Sequence, residues 1–221
     1  MPRPAPSANT RVSIGVVPAS EQFRQLTRYT VVNSEAEWDL IRRCLAGSTA
    51  AFEPLVRHHE RAALAIAAGL LGDRDDAADA VQEAFVRAYT RLDRLAAGSS
   101  FGAWFRTILR NVCLDRLKSA AARAERWTAA TETEVGWAEA PALESVAREQ
   151  LANMVHAALA RLPAEHRSVL VLKEMDGLSY AEIATALGVP RGTVASRLYH
   201  ARAALKRELA ALGFTREDAR S

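Results

Sequence analysis

Along the chain, apolar side chains recur at steps of three and four residues, the spacing that gathers them on one face of an α-helix. Residues 1–30 lack this rhythm and carry Pro2, Pro4, Pro6 and Pro18, so 1–34 reads as a mostly disordered tail. From Glu35 the pattern begins. Trp38, Ile41 and Leu45 mark one helix, ended by Gly47. Ser48 opens a second, with Phe52, Leu55, Val56, Leu64, Ile66 and Leu70 inside and Gly72 as its stop. Asp73 to Asp76 form an acidic turn and helix start, where carboxylates suit the positive end of the helix. The next stripe is the clearest: Val81, Phe85, Ala88, Leu92 and Leu95 step by four, three, four and three, with Asp79, Gln82, Glu83, Arg87 and Arg91 on the other side. After the loop Gly98-Ser99-Ser100, a fourth helix holds Phe101, Trp104, Phe105, Ile108, Val112 and Leu117 on one face. Arg106, Thr107, Arg110, Asn111 and Lys118 lie on its other face.

The order is lost over 124–146. Thr128 to Glu149 carries five glutamates against Arg148, with Pro141 inside, and 123–146 reads as an acidic linker. Helical patterning resumes near Leu143 and runs through Leu151, Val155 and Leu159. Pro163 opens a further helix with Val169, Leu170 and Leu172 as its core and Gly177 at its end. The expected fold is all-α: one helical domain over 35–122, a second over 147–213, and a short tail over 214–221.

The stretch from Ser179 to Leu209 carries the strongest local signal. Ser179 and Glu182 have the spacing of a capping box. Ile183, Ala184 and Leu187 form a short buried face, Gly188 supplies the turn, and Val189-Pro190 leads into a longer helix with Val194, Leu198, Ala201, Leu205 and Leu209 inside. A short helix, a tight turn and a longer helix make a helix-turn-helix, whose second helix suits the major groove. An ordinary helical hairpin has the same periodicity. Off the apolar stripe stand Ala195, Ser196, Tyr199, His200 and Arg202, with Arg191 and Arg197 at the entrance and flank. Arginine can fork onto guanine or grip phosphate, and hydroxyls bond to either. For His200, a nucleic-acid contact and a solvated surface position are equally compatible with the pattern.

Charge sharpens this picture. The net charge is only +3, but residues 101–126 hold six Lys/Arg against two acids, and residues 73–83 hold five acids against Arg74. Adjacent basic and acidic blocks suit a polyanion and a basic protein surface, or an unevenly charged solvated face. Cys44 and Cys113 are too few and too far apart in sequence for a disulfide framework or a zinc site and read as buried thiols of a reducing cytoplasm. The longest apolar run, Ala62 to Leu71, is too short to span a bilayer, and no secretory signal pattern is present, so no membrane insertion is expected. His58-His59-Glu60 lacks zincin spacing, and there is no phosphate-binding glycine loop or nucleophile elbow. No catalytic residue, metal or cofactor is expected.

These residues resemble a known family. LPAEHRSVLVLKEMDGLSYAEIATALGVPRGTVASRLYHARAALKRE (162–208) resembles sigma region 4, DAADAVQEAFVRAYTRLDRL (76–95) resembles region 2.2, and SSFGAWFRTILRNVCLDRLKS (99–119) resembles regions 2.3 and 2.4 of sigma-70 family proteins. The likeness covers about 36–120 and 147–210, with no room between or before for regions 1.1 or 3. That pattern marks the extracytoplasmic-function group. The resemblance implies a promoter-recognition subunit, not an enzyme, with core RNA polymerase (β′ clamp and β subunit), promoter DNA and an anti-sigma factor as partners. It implies polymerase docking through Asp79, Gln82, Glu83 and Phe85. It implies −10 recognition and melting through Trp104, Arg106, Thr107 and Asn111, although core packing is the stronger expectation for Trp104; Arg110, on the same helix face, joins that expected set. It implies −35 contact through Lys173, Ser196, Tyr199 and His200, the last standing where the family often has arginine; Arg191 and Arg197, at the entrance and flank of the helix, join them by position. The linker would correspond to the segment that threads toward the RNA exit channel. A helix-turn-helix regulator with a receiver or ligand-binding domain is the main alternative, and helical patterning without strand alternation over 36–120 argues against it. A basic RNA-binding or interaction protein is the other.

Overall fold

The computed structural model describes residues 34–124 and 143–213, and among these every regular element is helical. The two helices at the start are α1 (Ser34–Leu45) and α2 (Glu53–Leu71), joined through a 3-10 turn at Thr49–Phe52. Then come α3 (Arg74–Thr90) and α4 (Phe101–Ala124). The second half holds α5 (Leu143–Ala160), α6 (Ala164–Leu170) running into a π turn at Val171–Met175, α7 (Tyr180–Leu187) and α8 (Arg191–Ala211). The tails and the central stretch 125–142 lie outside the described residues, so the expected tail and most of the expected linker do too; α5 begins four residues before the anticipated domain boundary at 147.

Local chemistry sets the element ends. The Asp73 carboxylate accepts from the Asp76 backbone N–H at 2.9 Å, and Asp75 and Asp76 add negative charge to the first turn of α3. Gly72 closes α2 in the left-handed conformation, φ 79°, a region that side chains rarely tolerate. The α3 stripe is buried throughout, but the helix stops at Thr90, and Leu92 reaches the core from a separate 3-10 turn. Leu45, expected inside, is 52% exposed, because the last residue of α1 projects past the core.

Helices α2, α3 and α4 pack on one another around an aromatic cluster. Phe85 stacks on Phe105 with ring centroids 4.2 Å apart, Phe101 stacks on Phe105 at 5.9 Å, and Phe52 meets Phe85 and Phe101 edge-on. Truncating one such ring costs roughly 3–5 kcal/mol. Exposed pairs such as Arg42–Asp39 and Arg57–Glu53 contribute about 0.5 kcal/mol or less each, so the rings hold this domain. Leu109, Cys113 and Leu114 are buried as well, since α4 is covered on more sides than a two-faced pattern implies. Burial pushes the Cys113 thiol up to about 12, which leaves it an inert core group.

One buried polar pair joins α1 to α2: His59 Nε2 lies 2.8 Å from Glu37 Oε1. Burial holds the His59 imidazole below its ordinary pKa, although the bond to Glu37 pulls the other way. The neighbouring His58 ring brings a nitrogen within 4.8 Å of the other two potential ligand atoms. Successive helical residues diverge by about 100°, and His59 and Glu37 already bond each other, so the group reads as a structural tie.

In the second half, α7 and α8 form the expected helix-turn-helix. Ser179 Oγ accepts from the Glu182 N–H at 3.3 Å and Glu182 Oε2 accepts from the Ser179 N–H at 2.8 Å, completing the capping box. Gly188, φ 67°, makes the turn. Ile183, Val194, Leu198 and Ala201 are buried between α7, α8 and α6.

The two halves are not separate. Helix α2 packs against α5, α6 and the π turn, and one continuous apolar core runs from Ile41 to Ala201. Gly69 is what permits the approach: a Cβ there would lie 3.0 Å from Val171 Cγ2 and 3.3 Å from Met175 Sδ.

Candidate functional site

Three surfaces carry the candidate residues. On α3, Asp79 and Gln82 are exposed and, with Asp75 and Val86, share one outward face by helical spacing. Val86 is 58% exposed, an apolar side chain left in solvent beside carboxylates. The sequence signal for it was a valine off the stripe, one turn beyond Gln82.

Two expected members do not stand free on that face. Phe85 is buried, its ring committed to the stack on Phe105, so it shapes the helix from inside. This follows from its own stripe position, between Val81 and Ala88. Glu83 is half-buried and already engaged, with Arg116 of α4 at 2.9 Å and Arg87 at 2.5 Å. The hydrogen bond from Arg116, ahead of the Arg87 charge, holds its carboxyl below the ordinary range. Glu83 therefore fastens α3 to α4.

On α4, Arg106, Thr107, Arg110 and Asn111 line one side of the helix, and Trp104 is half-buried, its ring tilted 6.0 Å from Phe101. Thr107 and Asn111 are exposed, with Thr107 Oγ1 donating to the Ala103 carbonyl. The two arginines are turned to the other half of the molecule. Arg110 donates to Asp176 Oδ2 at 2.5 Å, and Arg106 Nε lies 3.6 Å from Asp176 Oδ1. Asp176 follows the π turn, and nothing in the periodicity pointed to it.

On α8, Ser196, Tyr199 and His200 are exposed, Tyr199 at 73%, while Val194, Leu198 and Ala201 of the same turns are buried. Arg191 is exposed at the first position of the helix. Arg197 is half-buried and paired with Glu165 at 2.6 Å. Lys173 is not presented with this face. It sits in the π turn, donates from Nζ to the Leu178 carbonyl at 3.1 Å and lies over the Tyr180 ring. Its ammonium fastens the turn ahead of α7.

An acidic and apolar helix face, a basic helix face and a helix-turn-helix whose second helix has an exposed outer side stand in that chain order. Residues 55–123 match the model of Sigma-70 region 2, and residues 152–205 match that of Sigma-70, region 4. The chain is 34% identical over 177 residues to the ECF RNA polymerase sigma factor SigM of Mycobacterium tuberculosis, which covers 80% of this chain and 86% of the relative. It is 30% identical over 186 residues to the RNA polymerase sigma-H factor of Pseudomonas aeruginosa, over 81% of this chain and 96% of the relative. The chain is an extracytoplasmic-function sigma factor of the sigma-70 family. A sigma factor is the promoter-recognition subunit of RNA polymerase, so this one binds core polymerase and promoter DNA and is not an enzyme. The regulator alternative is not favoured. Among solved structures, the sigma factor RpoE of Bartonella quintana, in complex with the anti-sigma factor NepR, superimposes with a TM-score of 0.52 at 26% identity. The match covers 72% of this chain and 96% of that one. In the sigma factor described here, no helix among the described residues is long and apolar enough to cross a membrane.

Proposed function

We propose that this sigma factor works in the cytoplasm as follows. The α3 face of Asp79, Gln82 and Val86 docks on the β′ clamp of core polymerase, and region 4 rests on the β subunit. Arg106, Thr107, Arg110 and Asn111 of α4, with Trp104 behind them, engage the opened −10 strand. Arg191, Ser196, Tyr199 and His200 of α8 read the −35 element. An anti-sigma factor holds the protein inactive until its signal arrives.

The observation that carries this reading is the division of α8. Its buried stripe fixes the helix against its own domain, so the same turns must present Ser196, Tyr199 and His200 outward. Acids beside an exposed valine suit a basic protein surface with an apolar centre. Guanidinium and amide groups suit unpaired bases and their phosphates. The anti-sigma partner is supported by the resemblance and by the complex in which the Bartonella sigma factor was solved.

Mapping RNA 5′ ends in cells tests the whole reading. Overproduction of this protein should create new start sites that share one pair of −10 and −35 sequences. Deleting the gene of a protein that co-purifies with it should raise the same start sites at normal expression. No new start sites would defeat the sigma role, and start sites insensitive to every such deletion would defeat the anti-sigma partner.

A further inference from the structure

We infer that His59 is a positioning residue for the −10 face: tied to Glu37, its imidazole fills the space beside Gly102 and sets where the first turn of α4 lies. The inference rests on the assignment of that face to the −10 strand.

His59 stands on α2 and reaches two other helices. Its Nε2 is bonded to Glu37 Oε1 of α1 at 2.8 Å, and the residue is only 3% exposed. The Glu37 carboxylate accepts, so Nε2 carries the proton, and the bond fixes which way the ring turns. Phe101 and Phe105 of α4 confine it further, with ring centroids 5.2 Å and 6.4 Å away. Burial holds the imidazole below its ordinary pKa against the pull of Glu37, and the charges of His58 and Arg106 act with burial. The ring is therefore neutral at neutral pH. It is a fixed, uncharged wedge.

Gly102 receives the edge of that wedge. A Cβ there would lie 2.9 Å from His59 Cε1 and 3.4 Å from Nδ1. Glycine weakens a helix relative to alanine, so a buried glycine in the first turn of α4 calls for a steric reason, and the imidazole supplies it. The backbone of the turn rests on the ring, and moving one moves the other.

The same turn carries the residues assigned to DNA. Trp104 follows Gly102 by two positions, and Arg106 and Thr107 follow it by four and five. Ser100 Oγ accepts from the Ala103 N–H at 3.3 Å, so the loop before the helix moves with the turn. His59 is buried and meets no strand itself. It acts through α4.

Three variants test this in holoenzyme assembled from core polymerase and the full chain. Gly102→Ala drives the ring and the turn apart. His59→Gln keeps a donor near the place of Nε2, lacks the ring edge that faces Gly102, and is flexible enough to yield. The third variant combines the two. The probe is a fluorescent single strand carrying the non-template −10 sequence of a promoter mapped for this protein. Core affinity and melting temperature are read on the same preparations. Gly102→Ala should weaken strand binding about tenfold, within the range of one base contact, with core affinity unchanged. His59→Gln should weaken it about threefold, and the double variant should return to within about threefold of the wild type, because the amide makes room for the new methyl. That rescue of strand affinity at constant core affinity is what a purely structural role would not give. Losses that multiply in the double variant overturn the inference, as does a parallel loss of core affinity. Should Gly102→Ala lose its cooperative melt, His59→Gln decides alone, and unchanged strand affinity there overturns the inference. Asn111→Ala separates the inference from the reading beneath it. Wild-type strand binding in that variant removes the −10 assignment and this inference with it. Weakened binding there, beside full affinity in Gly102→Ala, overturns the inference alone.

Discussion

Asp79→Arg combined with Gln82→Arg should weaken binding to core polymerase by about 100-fold or more, with no change in melting temperature. Both side chains are exposed on the outer face of α3, beside Val86, and neither has a partner in the aromatic core beneath. Reversing the charge at Asp79 and adding a positive charge at Gln82 can cost several kcal/mol against a basic docking surface, enough for such a loss. Glu83→Arg should behave differently. An arginine there would face Arg87 and Arg116, which now share the Glu83 carboxylate. Those pairs are a third exposed, so screening limits each to about 1 kcal/mol, and a drop of a few degrees in melting temperature is expected. Pull-down with purified core and thermal melts separate the two effects. Wild-type affinity in the Asp79/Gln82 variant would remove α3 as the docking face.

The second large effect concerns promoter choice. Exchanging Ala195, Ser196, Tyr199 and His200 for the residues of a sigma factor with another −35 preference should move the −35 preference and leave the −10 preference unchanged. The side chains of these four point away from Val194, Leu198 and Ala201, which are buried and stay in place. Base contacts discriminate by roughly 1–3 kcal/mol each, whereas phosphate contacts support all sequences alike. Arg197 must leave Glu165 before it can reach DNA. The −10 preference should follow residues 98–111 in the reciprocal exchange. Initiation rates measured on templates varied at each element give the answer. Equal loss on every −35 sequence would mean that the four side chains grip phosphate and read nothing.

Much of this organisation was legible in the sequence because helical periodicity reports which face of each element is buried. The α3 stripe, the Ser179–Glu182 box, the Gly188 turn and the inward side of α8 all follow from spacing and capping chemistry. Periodicity says nothing about what covers a face. Arg110 and Asp176 are 66 positions apart, and Arg167 and Leu70 are 97 apart, so the contact between the halves left no local trace. Nor does periodicity tell an exposed charge from one engaged by a neighbour. Glu83 points outward as its spacing requires, yet Arg116 on another helix holds it. Phe85 and Lys173 are instructive in the opposite way. The family resemblance placed both at contact surfaces, whereas the stripe through Val81 and Ala88 already put Phe85 inside. Lys173 lies half-exposed in a π turn, where its ammonium is engaged by the Leu178 carbonyl and the Tyr180 ring, contacts that helical spacing does not report.

As a sigma factor, this chain should suffice to give core polymerase its promoter choice. Run-off transcription with purified core polymerase, this protein and a template carrying a promoter mapped for it is the test. A discrete transcript from the mapped start, absent without this protein and absent on a template with a scrambled −10 element, is the predicted result. No discrete transcript, or one that appears only when a second sigma factor is added, would contradict it.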